Sequence, residues 1–219
     1  MSNNTSNLFC NVLDAQRSAV LEKIKHLLVG WYLAGGTGLA LQIGHRVSYD
    51  FDFFSQSNIQ STLRQSLAQI FGNELQVSMD TQEQLTVFTP NQVKITFAKT
   101  PYAPQYPLLA QAGLQIESVT DIAADKAFTI GRRGAIRDYV DLFFILEKGV
   151  VMSTIIGDAI KKYGAMFSEK LFLEQLDYME DIEDTAIEYL TDHITKEKIQ
   201  SSLHTAVRTY LQEQNAALA

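Results

Sequence analysis

The sequence predicts an α+β protein in which a small mixed sheet with flanking helices is followed by a bundle of helices. Short segments of strand character are confined to roughly the first hundred residues. The segment TPYAPQYP (residues 100–107) holds three of the four prolines and is the best candidate for a hinge. Beyond it, apolar residues recur at helical spacing. We therefore expect an α/β domain over residues 1–107 and a helical domain over residues 108–219 that packs on it.

Each element of the predicted α/β domain has its own signal in the sequence. Apolar residues at helical spacing indicate a helix over residues 7–28. An Ala- and Leu-rich segment predicts a short helix over residues 37–43 that stops at Gly44, and a third helix over residues 62–71 is ended by Gly72. Short apolar or alternating runs predict strands over residues 29–33, 50–55, 75–79, 84–88 and 93–98, with a turn at residues 89–91.

The predicted helical domain consists of five helices. Their apolar residues recur with the period of an α-helix rather than the period of a strand. The expected ranges are residues 119–130, 137–148, 151–162, 169–179 and 196–212.

Composition restricts the class of protein. The chain has 219 residues, of which 46% are hydrophobic and 20% charged, as in ordinary globular proteins. The net charge of -7 argues against a surface that binds nucleic acid everywhere, although a local basic site is compatible with it. Cys10 is the only cysteine, which excludes an intrachain disulfide and a cysteine-based metal site. The polar start Met1–Thr5 and the lack of an apolar run of about 18 residues predict a cytoplasmic protein without a membrane segment.

The segment DFDFF (residues 50–54) sets two carboxylates inside an aromatic run. Alternate residues of a strand share a face, so Asp50 and Asp52 point one way while Phe51 and Phe53 point into the opposite layer. Two adjacent carboxylates repel each other unless a cation lies between them, and a hard divalent ion such as Mg²⁺ fits this site. The alternative is an edge strand with one solvated face.

A glycine turn precedes this predicted strand. Gly35 and Gly36 permit a tight turn, and Thr37 opens a helix whose free N–H groups favour an anion such as a phosphate. The alternative is a turn that merely caps a structural helix. In the following loop, Arg46 could contact a phosphate or have a structural role, and Ser48 could hydrogen-bond near the acids or cap the turn. Neither a P-loop nor a complete dinucleotide-binding glycine pattern is present in the sequence.

A second polar block lies on the predicted helices after residue 119. It contains the most basic cluster of the chain, formed by Lys126, Arg132, Arg133 and Arg137. A triphosphate is a natural partner for these cations, and Lys126 is the residue that we expect to contact it. A solvated, salt-bridged helix end is an equal alternative.

Two acids follow the basic cluster. Asp138 and Asp141 are three residues apart and therefore share one helix face, and Arg137 and Asp141 form an i,i+4 pair. We expect one aspartate to orient Lys126 or Arg137 and the other to reach the nucleotide or the acceptor. Ordinary surface acids are the alternative.

Together these segments resemble a known family. LAGGT (residues 33–37), GHRVS (44–48) and DFDFF look like the first motif of the AbiE-type (AbiEii/AbiGii toxin) nucleotidyltransferases, which belong to the polymerase-β-like superfamily. The downstream motif of that family is similar to DIAADK (121–126), RR (132–133) and RDYVDL (137–142). The resemblance extends over roughly residues 28–146 and implies a polymerase-β-like nucleotidyltransferase core followed by helices.

The resemblance also implies a reaction. It is the metal-dependent transfer of a nucleotide from a nucleoside triphosphate (NTP) to an acceptor, with release of pyrophosphate. The Gly35-Gly36-Thr37 turn would hold the triphosphate, and Asp50 and Asp52 would hold Mg²⁺ or Mn²⁺. Such proteins are toxins of toxin–antitoxin and abortive-infection systems, so tRNA or a protein is the expected acceptor and an antitoxin protein the expected partner.

The sequence departs from the superfamily pattern at Thr96. A third carboxylate commonly stands on a neighbouring strand, and the aligned segment VKITF (residues 93–97) has a threonine there. Asp80 or Glu83 could supply the missing acid. Otherwise the metal site is weakened, and the chain is a nucleotide- or protein-binding module on the same scaffold. A metal-dependent phosphohydrolase is a third, weaker reading.

Overall fold

A computed structural model describes residues 8–183 and 185–218. The polar segment Met1–Thr5 and the predicted helix start at Asn7 lie outside the described residues. The chain divides into two compact units, residues 1–118 (unit 1) and 119–219 (unit 2). Within the described ranges, no helix has the length and apolar character that crossing a membrane requires.

Unit 1 contains a mixed sheet of seven described strands in the order β3-β4-β5-β2-β1-β7-β6. β2 pairs with β5, and β1 with β7, in parallel, while the other neighbours are antiparallel. The strand bounds are β1 Tyr32–Leu33, β2 Phe51–Ser55, β3 Gln76–Asp80, β4 Gln84–Phe88, β5 Lys94–Lys99, β6 Leu109–Gln111 and β7 Leu114–Ile116.

Three α-helices belong to unit 1: α1 Ala15–Ile24, α2 Gly35–Ile43 and α3 Ser61–Phe71. The predicted helix over residues 7–28 is shorter in the structure, because Asp14 caps α1 by accepting a 2.7 Å hydrogen bond from the Arg17 backbone N–H. Short 3₁₀ turns flank α1 at Cys10–Val12 and Lys25–Leu27. Gly44 ends α2 in the left-handed conformation with φ +66°, as its position in the sequence predicts.

The β6–β7 hairpin was not predicted from the sequence. Its turn is Ala112-Gly113, where φ is +52° and +78°, a conformation typical of two-residue hairpin turns. Ile116 of β7 pairs with Leu33 of β1, which adds the hairpin to the sheet. The proline-rich segment therefore joins two strands of one sheet, and unit 1 extends to Ser118.

One face of the central strands forms the core of unit 1. Phe51 and Phe53 of β2 are fully buried, together with Ile95 and Phe97 of β5. The Phe53 and Phe97 rings stack with centroids 5.2 Å apart, and Trp31 meets Phe97 edge-on at 5.0 Å. Because side chains alternate along a strand, the residues between these aromatic positions lie on the opposite face.

Unit 2 is helical, as the sequence predicts. Its described helices are α4 Val119–Ile130, α5 Ile136–Glu147, α6 Met152–Tyr163, α7 Glu169–Asp177 and α8 Lys196–Leu218. α4 is the central element, since it packs against α5, α6 and α7. Tyr139 of α5 and Phe172 of α7 are among its largest fully buried side chains.

Candidate active site

The start of α2 lies directly against β2. The Ala34 N–H donates a 3.0 Å hydrogen bond to the Asp52 carbonyl. Gly35 follows with φ +60°, and a Cβ at this glycine would lie 3.4 Å from Asp52 Oδ2. Glycine suits this position because it adopts the left-handed conformation without strain, and the Asp52 carboxylate lies directly beside it. Ala34 provides no side-chain cap for the first turn of α2.

Thr37 connects the glycine turn to the segment before β2. Its buried hydroxyl donates to the Asp50 carbonyl and lies 2.6 Å from Ser48 Oγ. The Ser48 N–H in turn donates to the Val12 carbonyl at 3.0 Å. These bonds fix the relative positions of the helix start and the Asp50 backbone. A contact of Thr37 with a phosphate would therefore use its backbone N–H.

The two predicted metal ligands flank a core residue. Asp50 directly precedes β2 and Asp52 lies within it, and both are half-buried, whereas Phe51 between them is fully buried. This agrees with the predicted separation of acids and aromatic rings onto opposite faces of the strand.

Thr96 lies next to Asp52. The parallel pairing of β2 with β5 sets these two residues opposite each other, on the face away from the core. The Thr96 side chain is buried, and its Oγ1 makes no hydrogen bond among the described residues. A hydroxyl thus occupies the position at which the superfamily resemblance implies a third acid.

The two acids considered as substitutes are engaged at the surface. Asp80 Oδ2 forms an ion pair with Arg64 Nη1 at 2.6 Å, and Glu83 Oε1 lies 3.5 Å from Lys99 Nζ. Across residues 8–183 and 185–218, no group of three or more His, Cys, Asp or Glu side chains is arranged to hold a metal ion.

The Arg46 side chain is buried rather than exposed to solvent. Its Nη1 donates a 3.1 Å hydrogen bond to the Val47 carbonyl. This contact favours the structural role considered for Arg46, and phosphate binding by Arg46 stays a prediction.

Within unit 2, Lys126 lies between both predicted acids. Its Nζ is 2.6 Å from Asp138 Oδ1 and 2.6 Å from Asp141 Oδ2, so the two acids do share one face of α5. Burial lowers the pKa of Lys126, but the charges of Asp141 and Asp138 raise it by more, and the net pKa lies above 10.5. The Asp138 Oδ2 atom is buried and has no hydrogen-bond partner among the described residues.

The arginines after Lys126 have different surroundings. Arg132 lies over the Phe128 ring at 4.0 Å and donates a 3.1 Å hydrogen bond to the Met166 carbonyl. Arg133 is exposed and Arg137 is half-buried. Lys126 is thus buried in its own ion pairs, whereas Arg133 is exposed.

A second ionic cluster in unit 2 was not predicted. Lys162 of α6 pairs with Asp125 and lies 3.9 Å from Asp121 Oδ1, and Tyr163 donates a 2.7 Å hydrogen bond to Asp125. The i,i+4 spacing of the two acids on α4 was the available signal, but their partners come from another helix. This cluster ties α4 to α6 and positions the helix that carries Lys126.

The comparison with known proteins assigns the family. A family model described as "Nucleotidyl transferase AbiEii toxin, Type IV TA system" matches residues 25–216. The chain belongs to this AbiEii family. A relative from Aquifex aeolicus strain VF5, the uncharacterized protein aq_aa25, is 28% identical over 214 residues, which is 91% of this chain and 98% of the relative.

Solved structures agree with the AbiEii fold. JHP933 from Helicobacter pylori superposes with a TM-score of 0.57 at 15% identity and covers 94% of this chain and 97% of its own. MenT4, a nucleotidyltransferase toxin from Mycobacterium tuberculosis, gives a TM-score of 0.56 at 15% identity, with 86% and 80% covered. The predicted family, the α+β fold with C-terminal helices and the nucleotidyltransferase class are thereby confirmed.

Proposed function

We propose that this AbiEii-family protein transfers a nucleotide from an NTP to an RNA or protein acceptor in a metal-dependent reaction. The observation that carries the proposal is the position of the Asp52 carboxylate beside Gly35, where a Cβ added to the glycine would lie 3.4 Å from Oδ2. It brings a helix N-terminus, which favours phosphate, next to an acid that suits a divalent cation. A triphosphate with its counter-ion needs both.

The side chains of this region fit Mg²⁺ or Mn²⁺. Mg²⁺ in nucleotide enzymes is held through one or two carboxylates and the substrate phosphates rather than by a complete protein cage. Asp50 and Asp52 would supply the carboxylates. A bound ion would neutralise charge on the triphosphate and orient the attacking oxygen.

The residues of unit 1 would hold and orient the NTP. The N–H groups of Gly35, Gly36 and Thr37 would bind its phosphates, and the Thr37 hydroxyl would keep this turn fixed against the Asp50 backbone. Such positioning accounts for much of the catalysis of phosphoryl transfer. In the reaction, an acceptor oxygen bonds to the α-phosphorus while the bond to the leaving pyrophosphate breaks.

The residues of unit 2 have a distinct proposed role. Asp141 is fully buried against Lys126 and would orient it. That Asp138 reaches the nucleotide or the acceptor stays a prediction, and its buried Oδ2 has no hydrogen-bond partner among the described residues. Contact of Lys126 or Arg137 with a phosphate likewise stays a prediction.

Labelling with NTPs tests the reaction. Purified protein is incubated with Mg²⁺, each α-³²P-labelled NTP and a total RNA or protein extract. We expect label in one acceptor class, and Asp50→Asn and Asp52→Asn should each abolish it. Asp80→Asn is the matched control, because this acid pairs with Arg64 at the surface. Incorporation that persists in both site variants contradicts the assignment.

The family description implies a toxin with an antitoxin partner. We therefore propose that the chain arrests growth in the cytoplasm, where NTPs and tRNA are present, and that an antitoxin protein opposes it. Induction of the wild-type chain should slow growth, whereas induction of Asp52→Asn should not. Equal growth arrest by both chains would separate toxicity from nucleotidyl transfer.

Thr96 favours one second candidate, a nucleotide- or protein-binding module with little turnover. Calorimetry with each NTP, combined with a pyrophosphate assay, separates the two candidates. Binding without pyrophosphate release in the presence of RNA and protein acceptors supports the module. Release that depends on Asp52 supports the enzyme.

A further inference from the structure

Thr96 and Asp52 form a pair of neighbours on the face of the sheet opposite the aromatic core. In the β2–β5 pairing, Phe51 lies opposite Ile95 and Asp52 lies opposite Thr96. The apolar pair is fully buried in the core, so the polar pair shares the other face. Adjacent strands are about 4.8 Å apart, which makes Thr96 a direct neighbour of the Asp52 carboxylate.

The Thr96 hydroxyl has a free donor at this place. Thr96 is only 8% exposed, and its Oγ1 makes no hydrogen bond within residues 8–183 and 185–218. On the other side of Thr96, Thr86 lies opposite it in β4. The Thr86 hydroxyl does have a partner, because it accepts a 3.1 Å hydrogen bond from Gln84 Nε2. A buried hydroxyl without a partner costs stability, and it therefore points to a ligand beside Asp52.

We infer that the site combines two carboxylates with one neutral hydroxyl and binds a divalent cation firmly only together with the phosphates of a nucleotide. The inference rests on the proposed function and deepens it. Asp50 and Asp52 carry two negative charges, and Thr96 adds a hydrogen-bond donor without a third charge. A cation at this place takes its remaining ligands from phosphate and water.

Charge explains why cation and nucleotide depend on each other. A triphosphate next to Asp50 and Asp52 is repelled unless a cation neutralises the charges, and the cation lacks ligands without the triphosphate. Each ligand must therefore raise the affinity of the other by the same factor. With an acid at position 96, three carboxylates would hold the cation before the nucleotide arrives.

A titration with Mn²⁺ alone tests the role of Thr96. Binding to the full chain is followed by electron paramagnetic resonance of the free ion, without nucleotide. Thr96→Asp should bind Mn²⁺ at least about tenfold more tightly than the wild type, whereas Thr96→Asn, which has nearly the same shape but no charge, should not. Equal affinities of the two variants overturn the inference. Tight Mn²⁺ binding by the wild type that Asp52→Asn removes also overturns it.

A second arm uses the wild-type chain and does not depend on how the variants fold. The affinity of a fluorescent, non-hydrolysable NTP analogue is measured with and without Mn²⁺. We expect Mn²⁺ to raise the affinity about 5- to 150-fold, the usual range for coupled sites. Binding that does not change with Mn²⁺ overturns the inference alone. Failure of the analogue to bind under both conditions instead overturns the proposed function.

Discussion

Removal of the Lys126 ammonium should destabilise unit 2 strongly. In Lys126→Met, two carboxylates lose the cation that lies 2.6 Å from each of them, and one of them, Asp141, is fully buried. Each such contact contributes about 6 kcal/mol of attraction at an effective dielectric constant of about 20, and desolvation of the ions offsets much of it. Breaking a buried ion pair costs about 3–5 kcal/mol, so we expect a loss of that size.

Urea unfolding followed by far-ultraviolet circular dichroism measures this loss. With a slope of about 2 kcal/mol per M, a loss of about 4 kcal/mol lowers the urea midpoint by about 2 M. Lys170→Met is the matched control, because Lys170 and Glu174 form an ion pair on α7 with side chains 84% and 59% exposed. The control should lose about 0–1 kcal/mol.

The pH dependence provides a further check on the Lys126 variant. Because the folded-state pKa of Lys126 lies above 10.5, its contribution is complete below 10.5 and is lost as the pH rises through the folded value. The deficit of Lys126→Met should therefore be equal at about pH 8 and about pH 10. Adding Asp138→Asn and Asp141→Asn should recover part of the loss, because no buried charge is then left unpaired. A midpoint shift no larger than that of Lys170→Met would refute this reasoning.

Three further predictions concern single atoms. Gly35→Ala and Gly164→Ala should each cost about 1–2 kcal/mol of unfolding free energy, because φ is +60° and +54°. Only Gly35→Ala should also reduce NTP labelling, because its Cβ would lie 3.4 Å from Asp52 Oδ2, where the cation and phosphates are proposed to bind, whereas nothing lies within 4 Å at Gly164. Equal labelling by the two variants would contradict the role of the Asp52 contact. Thr96→Val removes a buried hydroxyl without a hydrogen-bond partner and should therefore raise the unfolding free energy by about 1–3 kcal/mol. The measurement is denaturation without ligand, and a loss of stability would show that the hydroxyl is satisfied. Burial and the charges of Asp181 and Asp138 raise the pKa of Tyr139 from 10.0 to about 12, so its contribution to stability is complete below 10 and lost as the pH rises through about 12. Tyr139→Phe should remove that part of the alkaline loss in melting curves, and an unchanged profile would exclude Tyr139 as its source.

The sequence predicted the central strands and the long helices well, because their side-chain period determines them. Phe51 and Phe53 of β2 could be assigned to the core because one residue separates them, so that their side chains share a face. The bounds predicted for α4, residues 119–130, match the structure, since its apolar residues recur steadily at helical spacing. The start of α1 differs from the prediction because the Asp14 side chain caps the helix there.

The β6–β7 hairpin could not be predicted from local pattern. Each strand has only three residues, which is too short to establish an alternation. The hairpin is a strand pair of the sheet because Ile116 pairs with Leu33, more than eighty positions earlier in the chain. Such long-range pairing leaves no signal in a short sequence window.

The candidate site was predictable in its residue types but only partly in its contacts. Spacing alone indicated that Asp138 and Asp141 share a face, and it could not show that one ammonium lies between them. The Lys162 cluster was missed because its members come from two helices that meet only in the fold. Contacts between side chains of different helices or strands depend on tertiary packing, which cannot be predicted from the residue pattern of a single sequence.

The alternation of side chains along β2 has a consequence for engineering this protein. Removing Phe51 shifts the rest of the strand by one position, which exchanges the faces of everything that follows. A carboxylate would then enter the layer of aromatic rings, and a ring would replace it beside the glycine turn. Libraries that vary this segment should therefore keep its length constant and change only the chemistry at each position.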